Sequence, residues 1–287
     1  MEKMTIDMVV AYVNNQDIVW RNNYINFCKK HNLNKKIVDL IGARYGGIDF
    51  IGYQLRLVEK NMPWVNKIYL LISNKEQKPK YIPSNCEIIL HERFIPYKHL
   101  PTFNSTTIEM FLYNIPNLSE HFIYANDDML PIGKLEPSDF FDESGKIKIS
   151  WREREFSYGV SMYGYQCYNN CIAIAKELKI SWKPNRILLP EHSFTPMIKS
   201  HCITAFALLK KHIVPHIRAF RTEFQYNQYI YPLYEHLVYG TIDSPIDFLY
   251  TELDEDFDFN HQIICVNCEH KKDLVKKFIK GIEELCK

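Results

Sequence analysis

The chain has 287 residues, of which 46% are hydrophobic, and its formal net charge is +1. This length fits one large α/β domain, or a domain with an insertion, and the apolar fraction is enough for a substantial core. A charge so near zero argues against nucleic acid as a partner, so a ligand has to be held by a local site. The apolar stretch at the N-terminus is too short for a signal peptide, and no run of about 18 apolar residues occurs, which predicts a cytoplasmic protein or one at the inner face of the membrane.

The chain contains eight cysteines, which in a chain of this size without an export signal are expected to be reduced. Cys265 and Cys268 have the C-x-x-C spacing of a zinc or redox site, but no second ligand pair with matching spacing follows. The spacing rules favour reduced cysteines on a strand or loop, and the same holds for Cys167 and Cys171. A zinc-binding interaction module centred on Cys265 and Cys268 is the alternative.

The segment up to residue 130 predicts alternating strands and helices. In chain order these are a strand at 6–13, a helix near 19–31, a helix around 51–58 ended by Pro63, strands at 67–73 and 86–92, a helix in "NSTTIEMFLYNI" and a strand in "HFIYA". This β-α-β-β-α-β order predicts an α/β fold with a mostly parallel central sheet. In such sheets, ligands bind beyond the carboxyl ends of the strands.

Residues 131–190 read as an insertion, with a hairpin in "ESGKIKISW" and a helix in "NNCIAIAKELKI". The rest of the chain predicts mainly helices: one over "TPMIKSHCITAFALLKKH", one disturbed at its centre by Pro232, and a terminal amphipathic helix in "KKDLVKKFIKGIEEL" after a short strand, "IICVN". The apolar face of the terminal helix predicts packing on the domain, and its lysines leave peripheral membrane contact as the alternative.

Polar residues follow two of the predicted strands. Asn14 to Asp17 come after the first strand, and Asn126, Asp127 and Asp128 come after "HFIYA". The predicted fold places both segments at the same sheet edge. Adjacent anions repel by roughly 1 kcal/mol in water and by more near a protein surface, so Asp127 and Asp128 predict a bound cation. An Asx-turn is the alternative reading of this pair.

Glycine-based phosphate motifs are missing from the sequence. The segment "GARYGG" at 42–47 lacks both the G-K-[ST] ending of a P-loop and the G-x-G-x-x-G of a dinucleotide fold, and the chain has only 10 glycines. A phosphate-rich ligand would therefore need a metal ion and arginines to neutralise its charge.

Six segments resemble the four conserved regions of the Stealth family of sugar-1-phosphate transferases. "IDMVVAYVNNQDIVW" is similar to the first region, and "QLRLVEKNMPWVNKIYLLIS" with "LPTFNSTTIEMFLYNIPNLSEHFIYANDDM" is similar to the second. "PEHSFTPMIKS" with "FRTEFQYNQYIYPLYEHLVYG" resembles the third, and "IICVNCEH" resembles a degenerate fourth. The resemblance runs from about Ile6 to His270 and is most specific in "LPTFNS" and "NDD".

The resemblance implies transfer of a hexose-1-phosphate from a nucleotide-sugar, with UDP as the expected nucleotide, to a sugar hydroxyl. The implied partners are this donor and a glycan or lipid-linked glycan acceptor, in bacterial capsule or cell-surface polysaccharide synthesis. The implied fold is a glycosyltransferase A-like core with a helical C-terminal part. We therefore expect a single catalytic domain over 1–287, with a nucleotide- and metal-binding half at 1–130, an insertion at 131–190 and a helix-rich half at 191–287 that completes the site.

The implied cofactor is Mg²⁺ or Mn²⁺, which prefers oxygen ligands and often takes one or two carboxylates plus phosphate oxygens. Successive side chains of a strand point to opposite faces, so we expect one carboxylate to bind the ion directly and the other to orient it. Asp128 is favoured as the direct ligand; Asp127 is the second candidate ligand and also a candidate catalytic residue.

Further site residues follow from the family match. His192 is the expected catalytic base and Arg221 the expected phosphate clamp, since guanidinium suits phosphate geometry. A structural histidine is the alternative for His192. The expected substrate-binding residues are Asn14, Asp17, Arg44, Arg56, Asn104, Ser105, Asn227 and Gln228. The alternatives are orientation of the loop for Asp17, exposed salt bridges for the two arginines, and helix capping for Asn104 and Ser105.

Three positions depart from the family pattern. Asn14 and Cys268 stand where Asp is common, and Gln225 replaces an acidic residue. These departures keep open the hypothesis of a non-catalytic glycan- or nucleotide-binding partner. An ordinary glycosyltransferase that releases UDP is a further alternative.

Overall fold

The computed structural model describes residues 4–33, 49–157, 159, 161–253, 255–267 and 272–287. Within these residues the chain forms ten strands and seven α-helices, joined by short 3₁₀ turns. The strands are β1 (Ile6–Ala11), β2 (Ile68–Ile72), β3 (Cys86–Leu90), β4 (His121–Asn126), β5 (Met129–Pro131), β6 (Trp151–Glu155), β7 (Arg186–Pro190), β8 (Thr195–Ile198), β9 (Phe248–Thr251) and β10 (Ile263–Val266). The helices are α1 (Ile18–Lys30), α2 (Ile51–Asn61), α3 (Ser105–Glu109), α4 (Met162–Leu178), α5 (Lys199–Ile213), α6 (Ile230–Val238) and α7 (Lys272–Leu285).

The largest sheet has five strands in the order β3-β2-β1-β4-β8. β2 and β3 are parallel, whereas β8 pairs antiparallel with β4 at the edge of the sheet. A three-stranded sheet has the order β5-β10-β9, and β6 pairs with β7 in a two-stranded sheet. The prediction of a mixed α/β fold with a mostly parallel central sheet is confirmed.

Three predicted elements are wrong in detail. The helix expected over "NSTTIEMFLYNI" is only α3 followed by a 3₁₀ turn, in keeping with the poor helix propensity of its β-branched residues. "TPMI" is strand β8 and not helix; Pro196 is tolerated there because β8 lies at a sheet edge. Pro232 does not disturb the centre of a helix but lies in the first turn of α6, where a missing N–H breaks no helical hydrogen bond.

The chain groups into two compact units. The first unit comprises Met1–Val9, His91–Tyr124 and Pro137–Pro245; the second comprises Val10–Leu90, Ala125–Glu136 and Ile246–Lys287. Each unit is thus assembled from three separate segments. The expected single catalytic domain and its internal boundaries stay a prediction.

The core of the second unit lies between α2, α7 and the three-stranded sheet. Ile264 and Val266 of β10 are buried beside Leu130, Leu57 and Phe278. The Phe278 ring meets the rings of three further phenylalanines of the same unit edge-on or stacked, namely Phe50, Phe257 and Phe259. The apolar face of α7 therefore packs on the protein, as its sequence pattern predicts.

The first unit is built around α4, α5, α6 and the sheet of β6 and β7. The α4 helix buries Cys167, Cys171 and Ile174, and the Leu188 amide of β7 donates to Cys171 Sγ over 3.4 Å. No helix among the described residues of either unit combines the length and the apolarity that a membrane crossing requires. No disulfide joins the cysteines of the described residues.

Candidate functional site

Two adjacent carboxylates occupy a tight turn in the second unit. β4 ends at Asn126, β5 starts at Met129, and Asp127 and Asp128 lie between them. We call Asn126–Met129 the acidic turn. The Val266 amide of β10 donates to the Asp128 carbonyl over 2.9 Å, which ties the turn to the three-stranded sheet.

The acidic turn places two carboxyl groups next to each other in the chain. Burial and, to a lesser extent, the charge of Asp128 together raise the pKa of Asp127 to about 7. One proton is therefore held near the pair at neutral pH. A bound cation would remove the need for that proton, because an opposite charge within about 4–6 Å favours the ionised carboxylate.

Asp49 and Cys265 of the second unit also lie near the acidic turn. The Tyr12 hydroxyl donates to Asp49 Oδ2 over 3.0 Å, and Asp49 adds to the negative charge around Asp127. Asp128 and Cys265 offer oxygen and sulfur atoms within 4.8 Å of each other. A carboxylate oxygen with an adjacent sulfur atom is compatible with a divalent metal.

The segment after β1 reaches the acidic turn, as the shared strand edge predicted. The Val13 amide donates over a long 3.5 Å to Asp127 Oδ2. Asp17 is the N-cap of α1: its carboxylate accepts from the Val19 and Trp20 amides and from Asn74 Nδ2. Asn14 Oδ1 accepts from the Gln16 amide over 2.9 Å. The contacts of Asp17 and Asn14 shape this loop, and their substrate-binding role stays a prediction.

The first unit brings together a second group of polar residues, centred on Glu109 of α3. Glu109 is 3% exposed and accepts from the Gln228 amide over 3.0 Å. Burial raises its pKa, while the nearby Arg221 guanidinium and the hydroxyls of Ser105 and Tyr124 act in the opposite direction. Arg221 donates to the Ser105 hydroxyl. Glu109 was missed as a site residue; its one sequence signal is a carboxylate within the otherwise apolar run "IEMFL".

The predicted base, His192, also lies in the first unit. Its Nδ1 is 2.6 Å from the Tyr229 hydroxyl. Burial lowers its pKa to about 4, and the charges of Arg152 and Arg221 act in the same direction. The imidazole is therefore neutral at neutral pH, which is the protonation state that a proton acceptor needs.

The loop that carries Arg221 is fixed by buried amides. Asn104 caps α3 by accepting from the Thr106 amide, and its Nδ2 donates to Gln225 Oε1 over 3.1 Å. Gln225 Nε2 donates to the His216 carbonyl over 3.1 Å, a bond that a carboxylate could not make. Gln225 is thus a structural amide of this loop.

The remaining predicted residues of this group are also in structural contacts. Asn227 Oδ1 accepts from Asn170 Nδ2 over 2.7 Å, and Gln228 contributes its backbone amide to Glu109. Asn104 caps α3, a helix of five residues, and the substrate-binding roles expected for Asn104 and Ser105 stay predictions. Hydroxyl and guanidinium groups, not helix amides, are what this group offers to a ligand.

Three expectations concern residues elsewhere. Arg56 is exposed on α2, where its guanidinium lies 4.0 Å from the centroid of the Tyr81 ring. That contact is a cation–π interaction and gives no support to a phosphate-binding role. Arg44 and Cys268 lie outside the described residues.

The second conserved region predicted from the sequence is present. The family model described as "Stealth protein CR2, conserved region 2" matches residues 44–149. This stretch contains Glu109, Ser105 and the whole acidic turn.

Curated relatives are similar over longer stretches. A capsular polysaccharide phosphotransferase of Neisseria meningitidis serogroup B is 35% identical over 158 residues, which are 53% of this chain and 41% of the relative. The capsular polysaccharide phosphotransferase LcbA of Neisseria meningitidis is 31% identical over 216 residues, 72% of this chain and 57% of the relative. The receptor polysaccharide phosphotransferase WefC of Streptococcus gordonii is 39% identical over 146 residues, 50% of this chain and 43% of the relative.

The chain thus spans about half the length of the curated relatives that it matches. By its second conserved region and by these relatives, the chain belongs to the Stealth family.

Proposed function

We propose that the chain catalyses transfer of a hexose-1-phosphate from a UDP-linked sugar to a sugar hydroxyl, in the synthesis of a bacterial capsule or cell-surface polysaccharide. In this reaction the acceptor oxygen forms a bond to the β-phosphorus. The bond from that phosphorus to the bridging oxygen breaks, and UMP leaves. The acceptor is a glycan or lipid-linked glycan, and the expected location is the cytoplasm.

The acidic turn is the observation that carries this proposal. Its two carboxyl groups are adjacent, and burial together with the charge of Asp128 raises the pKa of Asp127. Phosphoryl transfer depends mainly on charge neutralisation and alignment. The printed names of the relatives, which are polysaccharide phosphotransferases, favour this chemistry over other uses of a cation.

In the proposed enzyme, Asp128 and Asp127 hold Mg²⁺ or Mn²⁺. When bound, such an ion neutralises charge on the pyrophosphate of the donor. Arg221, aligned by Ser105 and Glu109, binds a phosphate oxygen through its planar guanidinium. His192 accepts the proton of the acceptor hydroxyl in its neutral form.

Identification of the released nucleotide tests the proposal. The protein is incubated with UDP-N-acetylhexosamine, an oligosaccharide acceptor and Mg²⁺, and the products are separated by ion-exchange chromatography. We expect UMP, and Asp128→Ala should reduce turnover by at least 10³-fold while the circular dichroism spectrum is kept. Release of UDP would identify ordinary glycosyl transfer and overturn the proposal.

A non-catalytic role makes a different prediction. Asn14, Gln225 and Cys268 motivated that hypothesis, and the structural role of Gln225 removes one of its three grounds. Metal-dependent UDP-sugar binding without turnover, across several donors and acceptors, would favour the binding protein.

A further inference from the structure

We propose that Gln54 is a positioning residue that sets the geometry of the acidic turn. Its side-chain amide reaches from α2 to the backbone on both sides of the two carboxylates. Gln54 Nε2 donates to the Asn126 carbonyl over 2.7 Å and to the Met129 carbonyl over 2.6 Å. Neither the sequence pattern nor the family comparison assigns a role to this residue.

Both hydrogen atoms of the amide are used in this arrangement. The two acceptors are the carbonyls of the residues that flank Asp127 and Asp128, so one NH₂ group fixes where the turn starts and where it ends. Gln54 is fully buried. The Met129 carbonyl is buried, and a buried carbonyl that loses its hydrogen-bond donor costs free energy unless the backbone moves to find another one.

The orientation of the amide follows from the same contacts. A flipped side chain would point its carbonyl oxygen at the Asn126 and Met129 oxygens, and these three acceptors would repel one another. For the same reason Glu cannot replace Gln54, since an ionised carboxylate has no hydrogen to donate. Gln54→Glu would also add a negative charge beside Asp127 and Asp128.

A second side-chain hydrogen bond between α2 and β5 serves as a matched control. Asn61 of α2 donates from Nδ2 to the Pro131 carbonyl of β5 over 2.7 Å. This bond has the same chemistry and joins the same two elements, but it lies at the end of β5 away from the acidic turn. A merely structural amide would behave like Asn61, whereas a positioning residue would not.

The inference rests on the proposed function only for the chemistry that the turn performs. Its test therefore compares the isosteric variants Gln54→Met and Asn61→Leu in three measurements. These are thermal unfolding, hydrogen–deuterium exchange of peptides that cover 121–131, and kcat and KM for UMP release. The exchange measurement needs neither metal nor turnover.

We expect both variants to unfold at somewhat lower temperature than the wild type. Only Gln54→Met should raise amide exchange in the acidic turn, by tenfold or more, and lower kcat by tenfold or more with the donor KM within about threefold. Asn61→Leu should change exchange in the turn and kcat by less than about twofold. Equal effects of the two variants on the turn, or none from Gln54→Met, would overturn the inference.

A third variant separates the loss of these two hydrogen bonds from a general loss of folding. Gln54→Lys keeps a group with three donors on a stem long enough to reach both carbonyls. It should protect the turn from exchange better than Gln54→Met does, and protection no better than in Gln54→Met would overturn the inference. If the wild type releases no UMP, the proposed function fails, while the exchange data still decide the role of Gln54.

Discussion

Asp127 is a residue at which function and stability oppose each other. Its folded-state pKa of about 7 lies above the ordinary value near 4, so the native state holds a proton that the unfolded state releases between these two pH values. Stability from this group is therefore full below about pH 4 and is lost as pH rises toward 7. A carboxyl group whose raised pKa lowers the stability of the folded protein is typical of a site that binds a charged ligand.

The first prediction is that Asp127→Asn stabilises the metal-free protein at pH 7.5 while it removes activity. The amide cannot ionise, so about 1–3 kcal/mol should be recovered, equivalent to about 2–4 °C per kcal/mol in Tm. Differential scanning calorimetry of the wild type and Asp127→Asn measures this change in Tm. The same change at Asp142, whose pKa is lowered mainly by the Ser144 hydroxyl, should decrease Tm at that pH. A decrease in both variants would contradict this account of Asp127.

Glu109 and Arg221 should behave as a coupled pair. Loss of one partner leaves the other without its compensating charge, which costs about 1–3 kcal/mol for a charged group. Glu109→Gln and Arg221→Gln should each destabilise the protein, and the double variant should lose less than the sum, with a coupling of about 0.5–3 kcal/mol. Urea unfolding of the four proteins measures this cycle. Simple additivity would show that the pair does not interact.

At the scale of elements, local sequence signals located most helices and missed non-local partners. α1 and α2 were predicted closely because the polar segment Asn14 to Asp17 separates the first strand from α1, and Pro63 is a stop signal after α2. β8 was not predicted, because "TPMI" forms a strand only through its pairing with β4. The same limit applies to the site. The acidic turn could be predicted because its two carboxylates are adjacent in the sequence. Glu109 could not, because its partners Arg221 and Gln228 are distant in the sequence.

Replacement of two helical glycines by alanine should change the free energy of unfolding in opposite directions. A Cβ on Gly52 of α2 meets nothing within 4 Å, so Gly52→Ala should gain up to about 1 kcal/mol from helix propensity. A Cβ on Gly281 of α7 would lie 2.4 Å from ring carbons of Phe259, so Gly281→Ala should lose about 1–3 kcal/mol through overpacking. Guanidinium unfolding checks both values. Stabilisation by Gly281→Ala would mean that the Phe259 ring moves aside freely.

At the scale of the whole molecule, a metal that binds only the folded chain should raise its stability by mass action. At a concentration of about 100 times Kd the gain is about 2.7 kcal/mol. We expect Mn²⁺ to raise Tm in the wild type and not in Asp128→Ala. Asp256→Ala removes an exposed carboxylate of the same unit and should keep the full shift. Equal shifts in all three proteins would place the ion elsewhere.

The position of β10 has a consequence for synthesis on the ribosome. β10 is the middle strand of the β5-β10-β9 sheet, and its Ile264 and Val266 complete the core against α2 and α7. More than 120 residues separate β5 from β10, so a nascent chain carries its acidic turn long before the strand that secures it emerges. During translation the apolar surface of α2 and β5 stays uncovered for that interval, and it is there that we expect chaperones to engage the growing polypeptide.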